Sequence, residues 1–318
     1  MPLAVDSSTG SVPVTILTGT LGAGKTTLLN RLLSSSEGSR YAVVVNEFGE
    51  IGIDADLVET RSGDLLELVT GCFCCQAKDD FAFALRRLLP RLSEIDGILV
   101  ETSGLSDPLP VSRTLLEDFV IASACHLSAI VAVVDTSRLC RSELTAVEYN
   151  QIAVADRIVL SKTDLSSELM LASAEKRIQS INPTAEVLNC VRCSDYSDLL
   201  REAYLRDTGM MIAAPAEDHG RAISSISLTL DGEVNEERFM EWLGPLVRGG
   251  TMEVLRSKGI IAIAGYEKRF VIHTVGELVD GAPERAWKED EQRYSRMVFI
   301  GKRLNTDRLR TEFEACAA

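Results

Sequence analysis

The sequence of 318 residues predicts an α/β fold, a mostly parallel sheet with helices on both faces, followed by a smaller α+β domain. Three observations lead there. Short, wholly apolar runs such as Tyr41-Ala42-Val43-Val44-Val45 and Ala129-Ile130-Val131-Ala132-Val133-Val134 lack the alternation of a strand with one wet face, and so read as strands covered on both sides. Segments with three- and four-residue apolar spacing separate these runs, which is the strand-helix alternation of a parallel sheet. The chain is also longer than one typical domain, and beyond residue 223 the strand-like runs cluster instead of alternating.

Taken in order, residues 1–11 are polar and turn-forming and read as a mobile tail. The first strand, 12–18, runs into Gly19-Thr20-Leu21-Gly22-Ala23-Gly24-Lys25-Thr26-Thr27, and Leu28-Leu29 opens an amphipathic helix. The spacing Gly19-x4-Gly24-Lys25-Thr26 is that of a loop whose backbone N–H groups wrap a polyphosphate and whose helix presents its N-terminus to the anion. Gly19, Gly22, Ala23, Gly24, Lys25, Thr26 and Thr27 are therefore assigned to nucleotide binding. Lys25 neutralises the β- and γ-phosphates, and the Thr26 hydroxyl sits on Mg²⁺. The first domain, 12–209, is thus expected to be a P-loop NTPase domain.

Further strands end in polar loops. The run 41–45 leads into Asn46-Glu47-Phe48-Gly49-Glu50. Leu65-Leu66-Glu67-Leu68-Val69 leads into Thr70-Gly71-Cys72-Phe73-Cys74-Cys75, and a helix follows, marked by Phe81, Leu85, Leu88 and Leu92. Gly97-Ile98-Leu99-Val100-Glu101 leads into Thr102-Ser103-Gly104-Leu105-Ser106-Asp107-Pro108. Glu101, at a strand tip after a phosphate loop, stands where a nucleotide hydrolase keeps the acid that holds Mg²⁺ or its water, and Gly104 can offer an N–H to the γ-phosphate.

The last of these strands, 157–161, leads into Ser161-Lys162-Thr163-Asp164, which differs from the guanine signature Asn-Lys-x-Asp in its first residue only. Asp164 can accept two hydrogen bonds from guanine, and the Lys162 stem can lie over the base. Hydrogen bonds to a charged group contribute about 1.5–3 kcal/mol each, enough to discriminate between bases. An amphipathic stretch spans 196–205, and 210–222, without periodicity and with Pro and Gly, reads as a linker. In the C-terminal domain, 223–318, strands are expected at 223–230, 260–264, 270–272 and 297–300, with helices at 236–247 and 306–313.

Composition bounds the partners. The net charge is −14, with 47 acidic against 33 basic residues, which argues against a nucleic acid or an anionic membrane. No stretch reaches the apolar length of a membrane span and the first residues lack a signal-peptide pattern, so a cytoplasmic protein is expected. Of eight cysteines, those in a reducing compartment are ligands, redox groups or buried thiols before they are disulfides. Cys72-x-Cys74-Cys75 offers two or three thiolates to a soft or borderline ion such as Zn²⁺, Cu(I) or Co²⁺, fewer than the four ligands of a closed site, as suits a metal that must be released. Cys190-x-x-Cys193 reads as structural, Cys125, Cys140 and Cys316 as bystanders, and His126, His219 and His273 as core or surface residues.

In this order, the phosphate loop, Asn46-Glu47-Phe48-Gly49-Glu50, Gly71-Cys72-Phe73-Cys74-Cys75, the 101–108 loop and Ser161-Lys162-Thr163-Asp164 closely resemble the CobW family of metal-chaperone GTPases, relatives of the urease and hydrogenase maturation GTPases. Leu255-Arg256-Ser257-Lys258-Gly259-Ile260 and Ser295-Arg296-Met297-Val298-Phe299-Ile300-Gly301 resemble that family's C-terminal domain. The resemblance implies GTP-dependent metal insertion into a client metalloprotein, with zinc the commonest cargo and cobalt (cobalamin synthesis) or iron (nitrile hydratase activation) in other branches. It also implies a catalytic set of Lys25, Glu101 and the switch-loop Glu47, MgGTP on Lys25, Thr26 and Glu101, guanine on Asp164, and the transition metal on Cys72, Cys74 and Cys75. The protein is then a monomer or a nucleotide- or metal-dependent homodimer. Ser161 departs from the family's Asn, and the His-rich segment of many members is absent. A phosphotransferase with structural cysteines, and a thiol redox switch at Cys74 and Cys75, are the competing readings.

Overall fold

The structure is a computed structural model that describes residues 11–35, 39–46, 65–71, 77–189, 197–200, 223–288 and 290–318. Glu47, Cys72, Cys74, Cys75, Cys190, Cys193 and His219 lie outside the described residues, as do the expected tail up to residue 10 and the expected linker. The chain divides into two compact units.

The first is built on a seven-stranded sheet: β1 (Val12–Gly19), β2 (Tyr41–Asn46), β3 (Leu65–Gly71), β4 (Gly97–Glu101), β5 (Cys125–Asp135), β6 (Arg157–Ser161) and β7 (Glu186–Asn189), in the order β3-β2-β4-β1-β5-β6-β7. Every pairing is parallel, as the continuous apolar runs require. The connections among the described residues are α1 (Lys25–Ser35), α2 (Ala77–Leu88), α3 (Leu109–Glu117), α4 (Phe119–Ala124), α5 (Thr136–Arg141), α6 (Ala146–Val154) and α7 (Glu168–Ile181). Leu28, Leu29, Leu32 and Leu33 form the apolar stripe of α1, which buries against Leu17, Val43, Val45, Leu99, Val131 and Val133. At about 1.5–3 kcal/mol for each fully buried side chain, that stripe holds the phosphate loop between two fixed elements.

Two differences from the sequence expectation have local causes. β5 begins at Cys125, ahead of its apolar run, because 125–128 continue the ladder beside β1 with a register shift between Val14 and Thr15. β7 is a four-residue edge strand, half-buried throughout, too short and mixed to produce a pattern. Within the expected amphipathic stretch, the described residues Ser197–Leu200 form a 3₁₀ turn.

In the second unit, β8 (Ser224–Asp231), β9 (Glu253–Ile261), β10 (Lys268–Val275), β11 (Leu278–Ala286) and β12 (Tyr294–Lys302) form an antiparallel sheet ordered β11-β10-β9-β12-β8. The helices α8 (Glu236–Val247) and α9 (Thr306–Glu314) supply Phe239, Leu243, Leu309 and Phe313 to one core with Phe270, Ile272, Met297 and Phe299. Trp242 packs on Phe299 and Phe313 and donates its indole N–H to Glu312 at 3.0 Å. The sequence reading missed β11, whose Gly281 and Pro283 look like turn residues; as an edge strand it tolerates a proline that donates nothing to the ladder.

β11 is fastened by charge. Arg269, whose side chain is 2% exposed, donates to Glu284 at 2.5 Å, and Arg285 holds Glu291 in a fork at 2.6 and 2.8 Å. The Arg285 fork, aided by the Lys288 N–H, lowers the Glu291 carboxyl to about 2. A carboxylate lowered on folding stabilises above its unfolded value near 4.5, and that stabilisation disappears as pH falls from about 4.5 to about 2. Urea melts across that window are expected to show a pH slope that Glu291→Gln flattens; an equal slope in both proteins contradicts the assignment.

Candidate nucleotide site

The parallel register brings the ends of β1, β4, β5 and β6 to one edge: Leu17 stands opposite Glu101, Gly19 opposite Val133, and Asp135 opposite Ser161. In a doubly wound sheet that edge is where ligands bind. Gly19 has φ +132° and its missing Cβ would lie 2.1 Å from the Val133 carbonyl oxygen, while Gly22 and Gly24 have φ of +71° and +102°. Each glycine therefore meets a conformational or a steric demand. Ala23 N–H donates to the Thr20 carbonyl at 3.1 Å, and α1 then starts with Leu28 N–H on the Gly24 carbonyl at 2.9 Å. Gly19→Ala is expected to lower the melting temperature and abolish nucleotide binding together; an unchanged melting curve contradicts the clash.

Lys25 is 7% exposed and donates from Nζ to the Thr20 carbonyl at 3.2 Å, so its ammonium lies over the loop. The Thr26 hydroxyl donates to Glu101 Oε1 at 2.8 Å, joining the first turn of α1 to the tip of β4. Glu101 is 3% exposed, whereas Thr27 is exposed. An alcohol and a carboxylate side by side are hard oxygen donors, and Mg²⁺ is commonly held by one or two such groups with phosphate oxygens and water completing the octahedron. The residues present fit that ion.

The loop after β4 leans on the phosphate loop. Thr102 donates from both N–H (2.9 Å) and hydroxyl (3.2 Å) to the Leu17 carbonyl, and a Cβ on Gly104 would lie 2.3 Å from Leu21 N. Only glycine permits that approach of two backbones. Farther along, Asp107 accepts the Leu109 N–H at 3.0 Å, and two side chains of α6 reach the same loop: Asn150 donates to Asp107 Oδ2 at 2.7 Å, and Gln151 to the Ser106 carbonyl at 3.1 Å.

On the base side, Lys162 adopts φ +54° and Asp164 lies in the 3₁₀ turn Thr163–Leu165. The Asp164 carboxylate is exposed and makes no hydrogen bond to the described residues, so its acceptors are open to a base. The Ser161 hydroxyl donates to the Val134 carbonyl at 3.3 Å, and the Thr136 hydroxyl donates to the Ser161 carbonyl at 2.9 Å. Lys162 Nζ pairs with Asp135 Oδ2 at 2.6 Å, and Asp135 Oδ1 caps α5 by accepting the Arg138 N–H at 3.1 Å. Burial pushes the Asp135 carboxyl up, but Lys162 and the helix N–H groups outweigh it and hold the net value below the ordinary one. Arg138 in turn donates to Glu148 at 2.7 Å, and Glu148 closes a capping box with Thr145.

Asp135, Arg138, Asn150 and Gln151 escaped the sequence reading. A signal was present for the amides, polar residues standing directly before Ile152-Ala153-Val154 in an apolar helix. Glu47 and the three clustered cysteines lie outside the described residues, and no group of three or more His, Cys, Asp or Glu side chains among the described residues can hold a metal. Burial raises the Cys125 thiol to about 11, Cys140 donates to the Met170 carbonyl, and Cys316 is buried beside α8. His126 Nδ1 lies 2.8 Å from the Ser11 hydroxyl, and His273 is buried in β10.

The nucleotide-binding domain model of CobW, HypB and UreG matches residues 13–189, over half of the chain. The protein belongs to that family. The CobW-type C-terminal domain, described for a cobalamin synthesis protein, matches residues 223–317. Among relatives of this CobW-family chain, the zinc chaperone CobW of Pseudomonas aeruginosa is 33% identical, with 92% of this chain and 88% of that protein aligned. The zinc chaperone YjiA of Escherichia coli is 31% identical over 95% of this chain and 98% of YjiA. The crystal structure of Zn(II)-bound YjiA GTPase superposes with a TM-score of 0.74 at 28% identity, covering 97% of this chain and all of that one.

Proposed function

We propose that this CobW-family protein is a GTP-hydrolysing chaperone that carries a transition metal, zinc in the first place, on Cys72, Cys74 and Cys75 and delivers it to a client metalloprotein. The observation that carries the proposal is one of placement. β3 ends at Gly71, opposite Asn46 at the end of β2, on the same side of the sheet as Glu101, so the cysteine motif and the Glu47 loop both begin at the edge that holds the phosphate loop. The names of the curated relatives, zinc chaperones, support zinc as cargo.

In this reading the phosphate loop binds GTP. Gly22, Gly24 and Thr27 contribute backbone N–H groups, Ala23 shapes the loop through its N–H on the Thr20 carbonyl, and Lys25 reaches the β- and γ-phosphate oxygens. Thr26 and Glu101 hold Mg²⁺, which when bound neutralises charge on those phosphates. Gly104 turns its N–H to the γ-phosphate, so loss of that group removes one contact of the 101–108 loop. Glu47, in the segment that follows β2, would respond to the same phosphate. Nucleotide state thereby changes the setting of the thiolates, and zinc, a cargo in this scheme, is bound in one state and released to the client in the other. Tail 1–11, GTPase domain 12–209, linker 210–222 and C-terminal domain 223–318 form the proposed division. The setting is the cytoplasm, and the protein acts as a monomer or as a nucleotide- or metal-dependent homodimer. No helix among the described residues is long and apolar enough to cross a membrane.

Asp164→Asn tests the base assignment. Its amide matches xanthine better than guanine, so GTP affinity is expected to fall about 10- to 100-fold, in line with about 1.5–3 kcal/mol for a charged hydrogen bond, while affinity for xanthosine triphosphate rises. Unchanged preference for GTP removes Asp164 from the pocket.

A further inference from the structure

We propose that Asn150 and Gln151 are positioning residues for GTP hydrolysis, holding the 101–108 loop in place from the side of the base-recognition loop. The inference rests on the proposed role of that loop at the γ-phosphate.

Both amides are more than nine-tenths buried, Asn150 at 8% and Gln151 at 2% exposure, and the rest of their turn is Ile152, Ala153 and Val154 at 0–2%. An amide in such surroundings is costly unless bonded. Both direct their donors to one loop and to adjacent residues of it, Asn150 to Asp107 Oδ2 and Gln151 to the Ser106 carbonyl. These contacts fall two and three residues after Gly104, whose backbone lies against Leu21. Among the described residues, Asn150 Oδ1 is buried without a hydrogen-bond partner.

The first turn of α6, just before Asn150, is fixed to the base side. Glu148 pairs with Arg138, the Arg138 N–H is held by Asp135, and Asp135 pairs with Lys162. α5 and α6 lie directly behind the phosphate loop, where Gly19, Thr20, Asp135, Arg138, Glu148 and Gln151 surround a cavity of only ≈ 20 Å³. The polar contacts from Lys162 to Glu148 and those from Asn150 and Gln151 to residues 106–107 are thus joined through the short backbone of α6 between residues 148 and 151. α6 refers the position of the phosphate-side loop to the base-side loop, so a correctly seated base presets the loop that meets the γ-phosphate.

Asn150→Asp sets a carboxylate against Asp107, and the exchange Asp107→Asn with Asn150→Asp restores one donor and one charged acceptor. In the full chain at pH 8, Asn150→Asp is expected to lower both single-turnover GTP hydrolysis and affinity for a non-hydrolysable GTP analogue at least ~10-fold, while GDP affinity stays within ~2-fold. The exchanged pair is expected to return hydrolysis to within ~3-fold of the parent. Gln151→Leu is expected to lower kcat with little change in KM. Parental hydrolysis in Asn150→Asp overturns the proposal, as does an equal loss of GDP and analogue affinity that the exchange fails to restore, the result of a merely structural role. Gly104→Ala separates the two readings. If it leaves analogue affinity intact, the γ-phosphate loop itself is misassigned; if it abolishes that affinity while Asn150→Asp has no effect, only the present inference fails.

Discussion

Lys25→Ala is expected to reduce GTP turnover by about 10²–10³-fold, the size of effect seen when a preorganised donor to transition-state charge is removed from an excluded site. The Lys25 ammonium lies inside the loop, 7% exposed and donating to the Thr20 carbonyl. In the proposed site that ammonium faces the β- and γ-phosphate oxygens from a position the loop already fixes. Lys25→Arg is not expected to rescue, because a planar guanidinium does not replace a compact ammonium in a loop this closed. Thr26→Ala, which removes the hydroxyl bonded to Glu101, is expected to raise the Mg²⁺ concentration needed for half-maximal turnover. Single-turnover assays across a Mg²⁺ series distinguish the two, and turnover within ~3-fold of the parent in Lys25→Ala contradicts the site.

The second large effect is on metal. Structural zinc sites in zinc-finger peptides bind with about 10–16 kcal/mol at neutral pH, and a site that loses three thiolates loses most of its donors. Replacing Cys72, Cys74 and Cys75 by serine together is therefore expected to weaken Zn²⁺ binding by more than ~10³-fold while leaving GDP affinity unchanged, because the phosphate loop and Asp164 are separate from the motif in sequence. Competition with a chromogenic chelator under anaerobic conditions measures the first and a fluorescent GDP analogue the second. Retained zinc affinity transfers the site elsewhere in the chain. Retained zinc affinity with loss of nucleotide binding means that the cysteines are structural, as a phosphotransferase would require.

The readable parts of the sequence were those in which one residue type meets one physical demand. Gly19, Gly22 and Gly24 have backbone angles or contacts that disfavour a side chain, Thr26 reaches Glu101, and Lys25 folds back over its own loop. The apolar strands β1, β4 and β6 could be located almost to the residue, because a strand covered on both faces has no polar interruption. What escaped depended on contacts distant in the chain. Asn150 reaches Asp107 and Lys162 reaches Asp135 across 43 and 27 residues, and no local pattern records such a pairing. The edge strands β7 and β11 escaped because an edge needs neither length nor continuous apolar character, and β11 even keeps Pro283. In β9, Arg256, Ser257 and Lys258 are buried although their types announce a surface, so the sequence reading began that strand only at Ile260.

The central claim is that GTP and metal share one set of moving loops. Zinc affinity of the full chain, measured anaerobically by chelator competition with GDP and with a non-hydrolysable GTP analogue in saturating amounts, tests it most directly. A coupling of about 1–3 kcal/mol predicts a ~5- to 150-fold difference between the two states, and thermodynamic reciprocity requires zinc to change the affinity for the analogue relative to GDP by the same factor. Equal zinc affinity in both nucleotide states contradicts the chaperone mechanism.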